Sequence, residues 1–339
     1  MKTTNKFLLA STAVAIMAIA DACSSTEVVE PPTGYESKGK TITLTIGCPD
    51  ANNSATRADN DHMLRYSALM YVGKSIEEDV APVRKEAIAT SGGSSPITIT
   101  FDVPEGDYTF VIIGDYIPSN SEPDENGLYP DTYYDTHSDN ARLYMLSFKD
   151  FYKNDVVYPT CLNNENYDCF ARTITINKGE EEVTKEITLP RVVSRVSFVS
   201  NTNLDADIDE ITFSDFDFFY TYVYSSKTGA RSASGKISMT KATQNSMSNT
   251  QDNEVFFFYT LASDKRGDPL ANIDFVIKFK DNTSRSFTTQ GALIYPISNY
   301  KIKVMGNFLS DPVVPTGPIN LVLTANEDEW DSESKVTIK

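Results

Sequence analysis

A two-residue hydrophobic rhythm returns along this chain with almost no helical periodicity to compete with it, and that limits the fold more than any other feature. In Lys40-Thr-Ile-Thr-Leu-Thr-Ile46 the apolar Ile42, Leu44 and Ile46 alternate with Thr41, Thr43 and Thr45. This is the pattern of a strand with one face in a core and one in water. Residues 66–72, 96–103 and 108–113 continue it, the last two joined by a Pro104-Glu-Gly-Asp turn. Residues 170–176 and 183–189 end a first unit near Leu189-Pro190. The rhythm resumes at 191–199, 208–213, 216–224, 235–240, 255–261, 273–279, 284–288 and 300–305. A parallel sheet would need crossover segments of about a dozen residues or more, usually helices, and the sequence has none. The expected fold is therefore all-β, a sandwich or barrel built from short strands. Two stretches depart from the rhythm: residues 118–140 read as a long acidic loop without core signal, and residues 142–152 as a short helix packed on the sheet.

The leader predicts export. Lys2 and Lys6 precede an apolar run from Phe7 to Ala20 that stops at Ala22-Cys23, a basic start, a core of about 14 residues and a small residue at the cut. With cysteine at that point the expected product is a lipoprotein acylated on Cys23, even though Asp21 and Ala20 depart from the usual lipobox. Residues 24–34 have the Ser, Thr and Pro content of a tether. The loop after the first strand, Pro49-Asp-Ala-Asn-Asn-Ser-Ala-Thr-Arg57-Ala58, sets one arginine among small residues and is accessible to a protease by composition.

A net charge of −17 with a pI near 4.6 and no Lys/Arg cluster argues against nucleic acid as a partner. Cys161 and Cys169 flank a polar loop at a spacing that suits a local disulfide in an oxidising compartment. Cys48 is then an odd thiol, which a cut after Arg57 would remove. The two histidines, His62 and His137, fall in polar stretches, and no C-x-x-C pair exists, so no transition-metal site is expected. The oxygen-rich candidates for calcium are Asp124-Glu-Asn-Gly127, Asp131 with Asp135 and Asp139, and Asp205 with Asp207 and Asp209. None follows the EF-hand order, and solvated surface acids are the expectation. Without a nucleophile elbow, an H-E-x-x-H or a phosphate-cradling loop, neither enzymatic activity nor a cofactor is expected. Phe216, Phe218, Tyr220, Tyr222 and Tyr224 share one strand face, expected to be core packing rather than a sugar platform. After the Pro-rich break at 311–318, residues 319–324 and 335–339 supply two more strands.

The ordered set of lipobox Cys23, alternating first strand, Ala-Thr-Arg57-Ala58, Pro104-Glu-Gly-Asp-Tyr-Thr-Phe-Val-Ile-Ile-Gly114, Leu189-Pro-Arg-Val-Val-Ser-Arg-Val-Ser-Phe198 and Asn299-Tyr-Lys-Ile-Lys-Val304 resembles the fimbrillin family. These are lipoprotein subunits of the protease-activated type V pili of Gram-negative anaerobes. The resemblance implies two tandem transthyretin-like β-sandwich domains, residues 58–190 and 191–339, after a signal peptide (1–22) and a lipidated pro-segment carrying the first strand (23–57). It further implies anchoring to the outer membrane through lipid and cutting by an Arg-specific protease between Arg57 and Ala58. Loss of the strand bearing Ile42, Leu44 and Ile46 would open a groove, to be filled by a C-terminal strand of another fimbrial subunit. Ile319, Leu321 and Leu323, or Val336 and Ile338, have the right period for that donor. A stalk or tip subunit contributing to adhesion is the leading expectation. An unprocessed anchor subunit and a surface glycan-binding lipoprotein are the alternatives.

Overall fold

The computed structural model describes residues 40–48, 61–76, 81–89, 96–136, 145–149, 152–153, 156–157, 163–200, 208–223, 227–238, 254–262, 269–270, 273–288, 294–306, 322–325 and 334–337. For 145, 152–153, 156–157, 213–223, 227–238, 288, 322–325 and 334–337 it describes backbone alone.

The first half supplies β1 (Thr41–Gly47), β2 (His62–Val72), β3 (Val83–Ile88), β4 (Ile97–Asp102) and β5 (Gly106–Pro118). Four short strands follow, β6 (Tyr134–Asp135), β7 (Met145–Phe148), β8 (Tyr152–Lys153) and β9 (Val156–Val157), then a 3-10 turn at Glu165–Tyr167. Next come β10 (Cys169–Lys178), β11 (Val183–Thr188) and β12 (Val193–Ser200), and after them β13 (Ile208–Val223), β14 (Lys227–Ser238) and β15 (Glu254–Leu261). The remaining strands are β16 (Ile273–Phe279), β17 (Ser284–Thr288), β18 (Lys301–Gly306), β19 (Val322–Ala325) and β20 (Ser334–Thr337).

In the first sandwich a three-stranded sheet, β11-β1-β4, faces a four-stranded sheet, β10-β5-β2-β3. Their shared core joins Ile42, Leu44, Ile46, Ile99, Phe101 and Ile187 of the smaller sheet to Tyr66, Ala68, Phe110, Ile112 and Phe170 of the larger. The second half repeats this plan. The central β12 pairs antiparallel with β15 and parallel with β18, as β1 pairs with β4 and β11. Facing it, β17-β16-β13 with β14 repeats the order β10-β5-β2-β3. The period-two pattern accounts for β1, β16 and β18, whose residues alternate strictly between buried and half-exposed.

Strands β2 and β5 are buried on both faces. Their outward residues Leu69, Tyr71, Val111 and Ile113 pack with Tyr134, Leu146, Phe148 and Tyr167 into a cluster continuous with the second sandwich's core. The segment after β5 is therefore a cover and not a featureless acidic loop, since Tyr134 is fully buried and β6 and β7 extend the sheet of β13. The helix expected over 142–152 is replaced by strand at β7 and β8. A helix of that length is marginal on its own because nucleation is costly, whereas β7 gains a ladder with β13. Strand β3, too polar to carry an apolar alternation, went unanticipated and forms the edge beside β2. Residues 208–213 and 216–224, expected as two strands, form the single bulged β13.

Candidate functional site

The candidate site is the slot that β1 occupies. Its residues lie in register with Phe101, Ile99 and Ile97 of β4 across Ile42, Leu44 and Ile46, and with Val183, Lys185 and Ile187 of β11 on the other side. All three β1 side chains are completely buried. Burying each contributes about 1.5–3 kcal/mol, so the strand's side chains together supply roughly 5–9 kcal/mol. A whole domain has only about 5–15 kcal/mol of net stability. The first sandwich therefore depends on this slot being filled.

Little besides core packing and the backbone ladder holds β1 in place. The strand has no charged residue, and its threonines face outward, where Thr43 Oγ1 lies 3.4 Å from Thr100 Oγ1. At its start the Lys40–Glu180 pair, 4.0 Å apart, is exposed and worth little. At its end Leu189 N donates to Gly47 O at 3.0 Å, and Cys48 turns inward. The backbone of Gly114 roofs that thiol: a Cβ there would lie 3.3 Å from Cys48 Sγ and 3.4 Å from Leu189 Cδ1. The Tyr66 hydroxyl interacts with Cys48. Burial pushes its phenol well above the ordinary range.

Each outer strand of the β11-β1-β4 sheet accepts one hydrogen bond from a cation of the facing sheet. Lys85 Nζ donates to Thr100 O on β4 at 2.7 Å, and its ammonium lies 5.3 Å from the Phe101 ring centroid. Arg172 Nη1 donates to Thr188 O on β11 at 3.1 Å. Cations at strand edges discourage pairing with another chain. The centre of this sheet is therefore the place where a strand could be replaced.

Sequence reasoning missed the buried arginines that fix the rest of the molecule. Arg65 makes a bidentate pair with Asp115, at 2.9 Å from Nε and 2.7 Å from Nη2, and Nη2 also reaches Asp131 at 2.8 Å. Burial works against the Arg65 charge, but Asp115, Glu86 and Asp131 outweigh it and raise its pKa. Arg191 pairs with Asp168 at 2.7 and 3.0 Å and donates to Asn299 Oδ1 at 2.7 Å. Arg195 pairs with Glu254 at 2.7 and 2.9 Å and with Glu165 at 2.9 Å, its guanidinium 3.8 Å from the Phe257 ring centroid. The only available signal was an arginine inside an apolar strand run, which burial makes viable only with a carboxylate partner.

The other expected site residues are distributed as follows. Cys23, Arg57, Ala58, Cys161, Ile319, Leu321 and Ile338 lie outside the described residues, as do His137, Asp139, Asp205 and Asp207 and the side chains of the aromatic face 216–224. Cys169 is a buried free thiol, pushed well up by burial and by Asp115 and Asp168. Leu323 and Val336 are opposite each other in the β19–β20 hairpin, so the two donor candidates are paired in this chain. His62 belongs to β2 and not to a polar loop, its Nε2 2.7 Å from Tyr133 Oη. Asp131 is a buried ion-pair partner and not a solvated acid. Asp124 accepts hydrogen bonds from the Asn126 and Leu128 amides, closing a turn at Gly127. Among the described residues, no group of three or more His, Cys, Asp or Glu is arranged to hold a metal ion.

Several solved structures have a similar arrangement of strands at low identity. A candidate polysaccharide-binding protein of Bacteroides thetaiotaomicron is 12% identical, with 89% of this chain and 99% of that chain covered at a TM-score of 0.46. The tip fimbrial protein Mfa3 of Porphyromonas gingivalis, truncated at its C-terminus, is 10% identical, with 80% and 96% covered at a TM-score of 0.43. A fimbrial assembly protein of Parabacteroides distasonis is 9% identical, with 88% and 98% covered at a TM-score of 0.41. No curated protein sequence matches the chain. The model of a family of unknown function, DUF6562, matches residues 34–339, and the chain belongs to that family.

Proposed function

We propose that the protein is a structural subunit of a cell-surface fimbria that assembles by exchange of its first strand and contributes to adhesion. The observation that supports this reading is the position of β1: central in its sheet, buried through Ile42, Leu44 and Ile46, and without charged side chains to lock it. The sequence resemblance to fimbrillins supplies the rest. The chain is exported, acylated on Cys23 and held to the outer membrane, and an Arg-specific protease cuts between Arg57 and Ala58. The released β1 leaves a groove between β4 and β11 with two rows of unpaired backbone groups. A strand from another subunit, drawn from the C-terminal candidates, fills it by the same main-chain pairing. The halves 58–190 and 191–339 act as two tandem domains of such a subunit.

The test is intact mass and N-terminal sequencing of protein from native surface fibres, beside recombinant protein treated with an Arg-specific protease. A start at Ala58 with a detergent-resistant ladder on gels is the expected result. An acylated start at Cys23 without a ladder would replace this reading with that of an unprocessed anchor subunit.

A further inference from the structure

Every inward-pointing position of β1 has an apolar pocket, and the next inward position, one residue past the strand, is different in kind. Ile42, Leu44 and Ile46 fill the core, but the fourth inward residue, Cys48, sits under the bare backbone of Gly114. A Cβ at 114 would already stand 3.3 Å from Sγ, so a side chain much larger than cysteine cannot occupy this place without moving the sheet above it. The pocket also contains the fully buried Tyr66 side chain, whose hydroxyl interacts with Cys48. The requirement read along β1 is three large apolar residues at alternate positions, then a small one.

Of the two C-terminal candidate segments, one repeats that order. In Ile319-Asn-Leu-Val-Leu-Thr-Ala325 the alternate residues are Ile319, Leu321, Leu323 and Ala325. The other candidate, read the same way, gives Ser332, Ser334, Val336 and Ile338, which puts hydroxyls in the large pockets and isoleucine in the small one. Running residues 319–325 in the reverse direction would place Pro318 at the Gly47 position, where its missing N–H and fixed φ suit an inner ladder poorly.

We propose that the pocket formed by Tyr66, Gly114, Phe170 and Leu189 is the register-setting subsite of the slot. Its occupant is Ala325 of a second copy of this chain, whose residues 319–325 run in the direction of β1. This inference rests on the strand-exchange reading and adds the partner segment, direction and register to it. In the single chain β19 pairs with β20, Ala325 opposite Ser334, so the segment gives up that partner on being donated.

The experiment uses the full chain, cut with an Arg-specific protease, in a Cys48→Ser, Cys161→Ser background. In β1 the register runs Gly47 opposite Thr188, which places position 48 beside Leu189. A mixture of Leu189→Cys and Ala325→Cys copies is therefore expected to form an intermolecular thiol cross-link within the ladder, and Leu323→Cys or Val336→Cys in place of Ala325→Cys is not. Ala325→Ser should keep the ladder and Ala325→Phe should reduce it at least tenfold. A synthetic peptide of residues 318–326 should suppress assembly of unaltered protein, and its Ala325→Phe version should not, which separates the slot from any effect of the substitution on the donor's own fold. A ladder that cross-links through 323 or 336, or that tolerates Ala325→Phe, overturns the register and leaves strand exchange standing. Cut protein that forms no ladder at all overturns both.

Discussion

Strands β1 and β12 hold the same position in the two sandwiches, central in a three-stranded sheet between one antiparallel and one parallel neighbour, yet they are secured in opposite ways. Strand β1 buries one face and leaves threonines on the other. Strand β12 is buried almost throughout, with Ser194 and Ser197 covered, Arg195 clamped by Glu165 and Glu254, and Arg191 just before it held by Asp168 and Asn299. Topology alone therefore does not make a strand exchangeable. Hydrophobic burial without directional locks accepts any strand with the right order of large and small side chains, whereas buried bidentate ion pairs require particular residues on both sides.

The comparison breaks most visibly at the ion pairs. Asp168→Ala, which leaves the Arg191 charge buried without its carboxylate, is expected to cost about 3–5 kcal/mol in a denaturant titration. A loss under about 1 kcal/mol would mean that β12 does not depend on this lock. Leu44→Ala should destabilise the first sandwich by about 2–5 kcal/mol, and added peptide corresponding to residues 40–48 should restore stability to protein from which β1 has been cut. Thiol labelling under native conditions compares the two halves of the core directly. Cys48 should alkylate at least about tenfold faster than Cys169, a difference of about 1.4 kcal/mol in opening free energy, because releasing β1 exposes only the former. Equal rates would show that β1 leaves only when the whole molecule unfolds. Smallest of all, Thr43→Ala on the open face of β1 should change stability by no more than about 0.5 kcal/mol, and a larger loss would reveal a cover over that face.

Much of this was legible in the sequence where one face is wet. The alternation in β1, β4 and β18 reads directly from Ile42, Leu44 and Ile46, from Ile99 and Phe101, and from Ile302 and Val304. Strands covered on both sides were found, but their covers were not. Nothing local to Arg65 announces Asp115 or Asp131, because those partners are 50 and 66 residues away. The repeat of strand order between the halves is hidden for a similar reason. Thr-Ile-Thr-Leu-Thr-Ile and Val-Ser-Arg-Val-Ser-Phe solve one topological problem with different chemistry, so no sequence period links them. The acidic tract after β5 misled because its charges outnumber its core residues, although Tyr134 and Asp131 are the ones that dock. The candidate slot was legible in its three large residues, and its small fourth pocket was not, since Gly114 lies in another strand and meets Cys48 only through packing.

The cations at Thr100 and Thr188 bear on the geometry of growth. Each outer strand of its sheet carries a cation from the facing sheet and the corresponding strand of the other sandwich is clamped, so the proposed exchange would use the central slot alone among the described strands. Units joined through a single socket make head-to-tail, heterologous contacts that need not close into a ring. On the proposed strand exchange, a filament built this way would be unbranched and polar, with chemically distinct ends.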